Sequence, residues 1–256
     1  MLAAALAALV ALALTACAVA TAPDTRRSGF DFMGPSTQAM QQDDTQNPGM
    51  LWVQDGAALW DRREGRAGKS CADCHGAAAT SMRGVAARHP AYDTASARPL
   101  SLGQRIQQCR TERQQATPLV PESREWLALE SLVGHQSRGL PVAPPPDGRL
   151  AAFVQRGAAL FEQRMGQLDL SCAQCHAQRA GLRLGSSLIP QAHATGYPIY
   201  RLEWQGMGSL QRRIRNCMTG VRAEPFAYGA PEMVALELYL AERARGMPVE
   251  TPAVRP

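Results

Sequence analysis

VQDGAALWDRREGRAGKSCADCH, residues 53–75, and VQRGAALFEQRMGQLDLSCAQCH, residues 154–176, are two versions of one sequence. They align without gaps, and 13 of the 23 positions are identical. Both end in C-x-x-C-H, the spacing at which two thiols bind haem covalently and the adjacent histidine binds its iron. One such motif could be chance or half of a zinc site, whereas two in matching contexts predict two c-type haems. The predicted attachment residues and proximal ligands are Cys71, Cys74 and His75 for the first haem, and Cys172, Cys175 and His176 for the second.

The similarity continues beyond the haem motifs. SLGQRIQQCRT (101–111) matches SLQRRIRNCMT (209–219), and REWLALESLVGHQSRGLPV (124–142) matches PEMVALELYLAERARGMPV (231–249). The helical spacing of apolar residues predicts a helix starting at GAALW or GAALF, then the haem motif, a cysteine-containing helix and a closing helix in each half. The predicted fold is therefore mostly α, with two tandem cytochrome c-type domains related by internal duplication.

The order of segments predicts the domain boundaries. PVAPPPDGR (141–149) is rich in proline and cannot continue a helix, so it marks the linker. We expect an N-terminal cytochrome c domain over 51–143 and a C-terminal one over 144–256. Residues 23–50 show no regular period, which predicts an irregular extension that wraps a domain or a partner.

The first 22 residues, MLAAALAALVALALTACAVATA, predict export. This apolar run ends in small residues and is too short for a comfortable membrane span, as expected of a secretory signal peptide. The expected location is the periplasm, with no membrane span. LTAC (14–17) resembles a lipoprotein processing site, which leaves a lipid anchor at Cys17 as an alternative.

A cysteine follows each haem motif where an electron carrier would place a methionine. Cys109 lies 34 residues after His75, and Cys217 lies 41 residues after His176. Each cysteine shares a helical face with a leucine and an isoleucine, so both thiolates are predicted to reach a haem iron. A disulfide between these two cysteines and simple burial of both are the alternatives. Rival ligands in loops that do not align are Met82, Met207, His89 and His193.

The charge of the chain is carried by arginine. Net charge is +5, and Lys69 is the only lysine. Guanidinium groups bind oxyanions through a planar fork of donors. No nucleic-acid recognition motif accompanies them, so binding of nucleic acid is not expected. Around Cys217 the sequence clusters Arg212, Arg213, Arg215 and Arg222.

The two haem motifs, the cysteine in each partner helix and the string RRIRNCMTG (212–220) resemble the dihaem form of the SoxA family. That family provides the cytochrome subunit of the SoxAX complex, an L-cysteine S-thiosulfotransferase. The resemblance implies oxidative conjugation of thiosulfate to a cysteine thiol of the SoxYZ carrier protein, within sulfur oxidation. Electrons would pass to SoxX, a separate monohaem cytochrome c that forms a heterodimer with this chain.

The resemblance also implies residue roles. Cys217 would be the catalytic cysteine, modified to a persulfide, and an iron ligand of the second haem. Arg213, four residues earlier, would bind the substrate, and Cys109 would be the axial ligand of the first haem. Arg105 stands four residues before Cys109 in the same way, so this spacing alone cannot mark the reactive half.

Other functions fit the same motifs less well. A dihaem periplasmic electron-transfer cytochrome without sulfur chemistry is the main alternative, with both cysteines tuning the haem potential. A dihaem peroxidase needs an open iron, which two axial cysteines disfavour. A haem sensor needs an output domain, and no such segment is recognisable in the sequence.

Overall fold

A computed structural model describes residues 24–256, so the predicted signal peptide and Cys17 lie outside the described residues. Helices make up most of the regular structure, as the sequence predicts. They are α1 (Pro35–Gln42), α2 (Met50–Asp61), α3 (Ala72–His75), α4 (Ala78–Ser81), α5 (Leu102–Cys109), α6 (Arg124–His135), α7 (Ala151–Glu162), α8 (Cys172–His176), α9 (Leu210–Gly220) and α10 (Pro231–Arg243). Within residues 24–256, no helix is long and apolar enough to cross a membrane.

The strands are short. They are β1 (Ala91–Asp93), β2 (Arg98–Leu100), β3 (Arg183–Leu184), β4 (Ser187–Leu188), β5 (Ile199–Arg201), β6 (Gly206–Gly208) and β7 (Ala253–Arg255). Two antiparallel hairpins, β1–β2 and β3–β4, lie in the loops after the haem motifs. The third sheet has the order β6-β5-β7, in which β5 is antiparallel to β6 and parallel to β7.

Each half is built on one crossing between its first and its closing helix. The predicted helix starts at GAALW and GAALF are late, since α2 and α7 begin six residues earlier and place Gly56 and Gly157 near their middles. A Cβ atom at Gly56 would lie 2.3 Å from the carbonyl oxygen of Ala128, and one at Gly157 would lie 2.1 Å from that of Ala235. Glycine is therefore required in both halves, because a side chain would push the crossing helices apart.

A tight loop joins the first helix of each half to its haem motif, and its packing differs between the halves. In the first half Glu64 ion-pairs with Arg110, at 2.5 Å, and the Arg110 side chain is 6% exposed. The aligned residues of the second half are Met165 and Met218, and Met218 is buried. A buried ion pair in one domain is thus replaced by two methionines in the other.

This substitution gives a stability prediction. Arg110→Met is expected to lower the free energy of unfolding by about 3 kcal/mol, because it leaves the Glu64 carboxylate largely buried without its main partner. The midpoint of thermal unfolding should fall by roughly 6–12 °C. The double variant Glu64→Met/Arg110→Met, which copies the second half, should recover most of this loss. Calorimetry of haem-loaded wild type, single variant and double variant measures the midpoint of thermal unfolding of each. An Arg110→Met variant as stable as wild type would contradict the prediction.

The two halves meet across a pseudo-twofold axis. Residues 139–142 and 246–249, which are equivalent in the duplication, pair antiparallel. The Val142 amide donates to the Met247 carbonyl at 2.8 Å, and the Val249 amide donates to the Leu140 carbonyl at 2.9 Å. Each bond is the symmetry counterpart of the other, so the duplication built both the domains and their contact.

Two equivalent glutamates also face each other across this axis. Glu130 lies on α6 and Glu237 on α10, in a cavity of about 290 Å³ between the halves. Burial raises the pKa of Glu237 to about 7, and burial together with the neighbouring Glu122 raises the pKa of Glu130 well above its usual range. These carboxyl groups are therefore easily protonated, which lets like groups share one buried cavity.

The N-terminal segment is more regular than its composition indicates. Its helix α1 starts with Pro35 at the first helical position, where the missing amide proton costs nothing. The segment packs on the C-terminal strand β7, since the Gln41 side chain accepts a hydrogen bond from the Val254 amide at 3.1 Å. Val254 in turn lies in a core cluster with Leu127 of the first half, so these terminal segments help join the domains.

Candidate haem centres and active site

The second haem motif is folded so that its histidine presents one nitrogen. Helix α8 is capped by Ser171, whose hydroxyl accepts from the Gln174 amide at 3.2 Å, and this fixes the turn that carries His176. The Nδ1 atom of His176 lies 2.8 Å from the Pro190 carbonyl oxygen. Since a carbonyl can only accept, Nδ1 donates, and Nε2 is left as the free lone pair that an iron requires.

Cys217 stands opposite this histidine on α9. Burial raises the pKa of its thiol, but the interaction with the His176 ring and the charge of Arg213 outweigh burial, and the net pKa is lowered. The thiol thus faces a histidine ring on one side and a guanidinium on the other. A thiolate in such a setting is both an iron ligand and a sulfur nucleophile.

The space between these groups has apolar walls and a donor set that fits a covalently held porphyrin. The attachment cysteine Cys172 lies near the Cys217 thiol. Burial raises the pKa of Cys172 to about 11, and the charge of a Cys217 thiolate adds to this rise. The Leu210–Ile214 face of α9 points to the same space, as its spacing predicts. Residues of the surrounding cluster are Leu160, Phe161, Ala173, Cys172, Leu210, Ile214, Phe226 and Tyr239.

The first half repeats the donor set in a more exposed setting. The Trp60 ring lies 5.7 Å from that of His75, and its Nε1 atom donates to the Gly76 carbonyl at 2.9 Å. Cys109 lies near both attachment cysteines. In addition to burial, the charge of a Cys109 thiolate raises the pKa of Cys71, and the charge of a Cys74 thiolate raises the pKa of Cys109. Leu102 and Ile106 pack with Cys71 in one core cluster. Two thiols, a histidine and an opposing cysteine therefore surround an apolar wall here as well.

The two cysteine sites differ in their electrostatics. Burial raises the pKa of Cys109, and here the net direction is upward, unlike that of Cys217. The largest lowering effect at Cys217 is its interaction with His176, which has no counterpart at Cys109. The equivalent arginines also differ in their partners. Arg105 is held by an ion pair with Asp93 at 3.0 Å and a hydrogen bond to Gln108. Among residues 24–256, the guanidinium of Arg213 has neither an ion pair nor a hydrogen bond, so its charge is free to hold an anion.

The other arginines of the cluster point elsewhere. Arg212 donates to the Met207 carbonyl at 3.2 Å, and Arg215 donates to the Phe226 carbonyl while lying over the Tyr228 ring. Arg222 borders a separate cavity of about 460 Å³. Arg212, Arg215 and Arg222 are therefore close to Cys217 in sequence, but they contribute less positive charge to its surroundings than that proximity indicates.

A residue that sequence analysis missed lies beside the thiol. Arg201, at the end of β5, is the second arginine whose charge lowers the pKa of Cys217. It stands 16 positions before the cysteine, inside the loop region that does not align between the halves. The longer second-half loop was the only signal in the sequence that pointed to this segment.

The structure shows where the rival ligands lie and what they contact. His89 faces the Val85 carbonyl through Nδ1 at 2.9 Å, and His193 faces the Arg27 carbonyl at 2.8 Å. Met207 is buried in the core cluster between the halves, while Met82 packs on the wall of the first site. All six cysteines described in residues 24–256 are free, so the disulfide alternative is not realised.

Two compact helical units, each with a C-x-x-C-H motif beside an apolar wall, define a c-type cytochrome with covalently bound haem. The sequence matches the SoxA/TsdA cytochrome c domain family over residues 55–142 and again over 156–249. The chain therefore belongs to the SoxA/TsdA cytochrome c domain family, and the predicted resemblance and fold class are confirmed.

Characterised relatives agree with this assignment. The SoxA subunit of L-cysteine S-thiosulfotransferase from Rhodovulum sulfidophilum is 40% identical over 91% of this chain and 81% of its own length. The SoxA subunit from Pseudaminobacter salicylatoxidans is 41% identical over 91% of this chain and 82% of its own. The crystal structure of SoxXA from P. pantotrophus superimposes with a TM-score of 0.87 at 35% identity, covering 90% of this chain and 87% of that one.

Proposed function

We propose that this chain is the SoxA-type subunit of an L-cysteine S-thiosulfotransferase. It joins thiosulfate to a cysteine thiol of a SoxYZ-type carrier protein, and its redox partner is a SoxX-type monohaem cytochrome c. The observation that carries the proposal is the position of Arg213 one helical turn before Cys217 on α9, where its guanidinium has no ion pair or hydrogen bond within residues 24–256. A thiolate next to an anion-binding guanidinium is the arrangement that sulfur transfer to thiosulfate needs.

Each half of the proposed enzyme holds one haem c. Residues 51–143 form the domain of the first haem and 144–256 that of the second, which contains the active site. The haem residues are Cys71, Cys74, His75 and Cys109 in the first domain, and Cys172, Cys175, His176 and Cys217 in the second. When bound, the haem supplies an iron for the axial cysteine and a route for electrons. Export by the segment 1–22 places the protein in the periplasm.

The chemistry assigned to the residues balances in two steps. Cys217, as thiolate or persulfide, forms a sulfur–sulfur bond with the outer sulfur of thiosulfate, and two electrons leave toward the partner cytochrome. The carrier thiolate then attacks that outer sulfur, so that the bond to Cys217 breaks and the carrier becomes a cysteine S-thiosulfonate. Arg213 holds the anionic substrate over the Cys217 sulfur throughout and offsets its negative charge.

The unequal halves favour sulfur chemistry over simple electron transfer. A dihaem carrier needs no unpaired arginine at one thiol, whereas the first half shows that Asp93 can neutralise the equivalent Arg105. A guanidinium with no partner in the described chain, beside a reactive thiol, is available to bind an anionic substrate. We therefore expect the second domain to bind an anion beside Cys217.

Turnover with the purified partners tests the proposal. The complex of this chain with a SoxX-type cytochrome, given thiosulfate, a SoxYZ-type carrier and an oxidised cytochrome c, should reduce the acceptor. Mass spectrometry should find one thiosulfate added to the carrier cysteine and an extra sulfur atom on some Cys217. Acceptor reduction that does not depend on the carrier would instead favour the electron-transfer alternative.

Haem ligation gives a prediction of its own. Because Cys109 and Cys217 both lie opposite a C-x-x-C-H histidine, we expect two low-spin ferric haems with histidine–thiolate signals in electron paramagnetic resonance. The measurement uses the resting, fully oxidised protein. Spectra with only histidine–methionine or high-spin signals would show that the cysteines do not bind iron.

A further inference from the structure

Arg201 carries a buried donor that no residue of the described chain satisfies. Its side chain is 11% exposed, and one terminal nitrogen forms an ion pair with Glu203 at 2.9 Å. The Nε atom is fully buried and has no hydrogen-bond partner within residues 24–256. An unsatisfied N–H of a charged group is costly, so such donors are usually met by a ligand or water.

The fold holds this guanidinium in a fixed place. Arg201 ends β5, the central strand of its sheet, where it pairs with Gly206 on one side and Arg255 on the other. Its guanidinium lies over the Trp204 ring at 5.1 Å from the centroid. Strand pairing and the aromatic ring together restrict the side chain, so little ordering is needed before an anion binds.

Arg201 lies beside Arg213 at the start of α9. Arg201 and Arg212, the residue before Arg213, lie over the same Trp204 ring at 5.1 and 4.2 Å from its centroid, and Cys217 follows Arg213 by one helical turn. Burial and then the charge of Arg213 lower the pKa of Arg201, as expected for neighbouring cations. Adjacent cations repel each other, and an anion bound between them removes this cost. Glu203 is half-exposed and lies at the outer edge, so it neutralises Arg201 only from one side.

The chemistry of the substrate calls for a second donor. The sulfonate end of thiosulfate has three oxygens, and one guanidinium fork binds two of them. Arg213 alone would leave one oxygen and part of the dianionic charge unpaired in a partly buried site.

We propose that Arg201 is a second substrate-binding residue, which together with Arg213 holds the sulfonate end of thiosulfate while the outer sulfur faces Cys217. This inference rests on the proposed function and adds the recognition of the sulfonate group to it.

Binding and turnover of three variants test the inference. Thiosulfate binding to the haem-loaded complex with its SoxX-type partner is measured by calorimetric titration without carrier, and KM and kcat are then measured with carrier. Arg201→Ala should raise both the Kd for thiosulfate and KM by about ten- to a hundredfold, since charge-assisted hydrogen bonds are lost. Arg201→Lys keeps the charge without the fork and should lie between Arg201→Ala and wild type. In both variants kcat should stay within a few-fold of wild type.

Arg212→Ala is the matched control. Arg212 lies over the same Trp204 ring, at 4.2 Å, but its guanidinium already donates to the Met207 carbonyl at 3.2 Å. It should leave Kd and KM unchanged, and the haem spectra of all three variants should match wild type. A Kd within twofold of wild type for Arg201→Ala overturns the inference. If that variant does not fold, the same result for Arg201→Lys does so.

The outcomes for the two proposals are separable. If the wild-type complex conjugates thiosulfate and the Arg201 variants bind it normally, the inference is wrong and the proposed function stands. If the wild type binds thiosulfate through Arg201 but transfers nothing to the carrier, the binding site stands and the proposed function is wrong.

Discussion

Cys217→Ala is expected to abolish thiosulfate conjugation while both haems stay attached. The substitution removes the sulfur that bonds to the substrate, and loss of a covalent nucleophile typically costs on the order of a thousandfold or more in kcat. Haem attachment depends on Cys172 and Cys175 instead, so the haem content should be that of wild type. Steady-state acceptor reduction with carrier, together with a haem stain of the denatured chain, measures both effects.

Cys109→Ala is the control within the same chain. It removes the equivalent thiol, whose pKa is raised by burial and whose arginine is already paired with Asp93. The spectrum of the first haem should change, and much of the turnover should remain. Equal losses from the two substitutions would mean that both halves take part in the sulfur chemistry.

Arg213→Ala is expected to lower kcat/KM for thiosulfate by about tenfold to a few hundredfold, at unchanged haem content. Arg213 lies one helical turn before Cys217, and its charge acts on the thiol. Its loss removes a bidentate contact to the anion and part of the charge that keeps the thiol ionised. Arg213→Lys restores the charge without the fork, so it should recover part of the activity.

Arg105→Ala tests whether this effect belongs to the second half. Arg105 has the same position relative to Cys109, but Asp93 and Gln108 already occupy its guanidinium. The variant should turn over thiosulfate like wild type. Wild-type activity in Arg213→Ala would show that the substrate is held elsewhere in the site.

Much of the architecture follows from sequence alone, because duplication makes the pattern readable. Two C-x-x-C-H motifs with matching flanks predicted both domains, and the Leu–Ile–Cys spacing predicted which helical face lies toward the haem motif. Such features depend on neighbours within a few turns of helix, where residue spacing fixes geometry. The helix starts were predicted too late for the same reason, since Gly56 and Gly157 mark helix crossings and not helix ends.

Tertiary structure alone decided which arginines matter. Arg105 and Arg213 are equivalent in sequence, yet only the first meets an aspartate, which the hairpin just before α5 brings to it. Arg201 reaches the thiol from a strand 16 residues away that β6 and β7 hold in place. Electrostatic interactions act through space over several ångströms, regardless of separation along the chain. The sequence thus determined the domains and their haem-binding motifs, and the folding of distant segments onto α9 determined which of the two cysteines has free positive charge beside it.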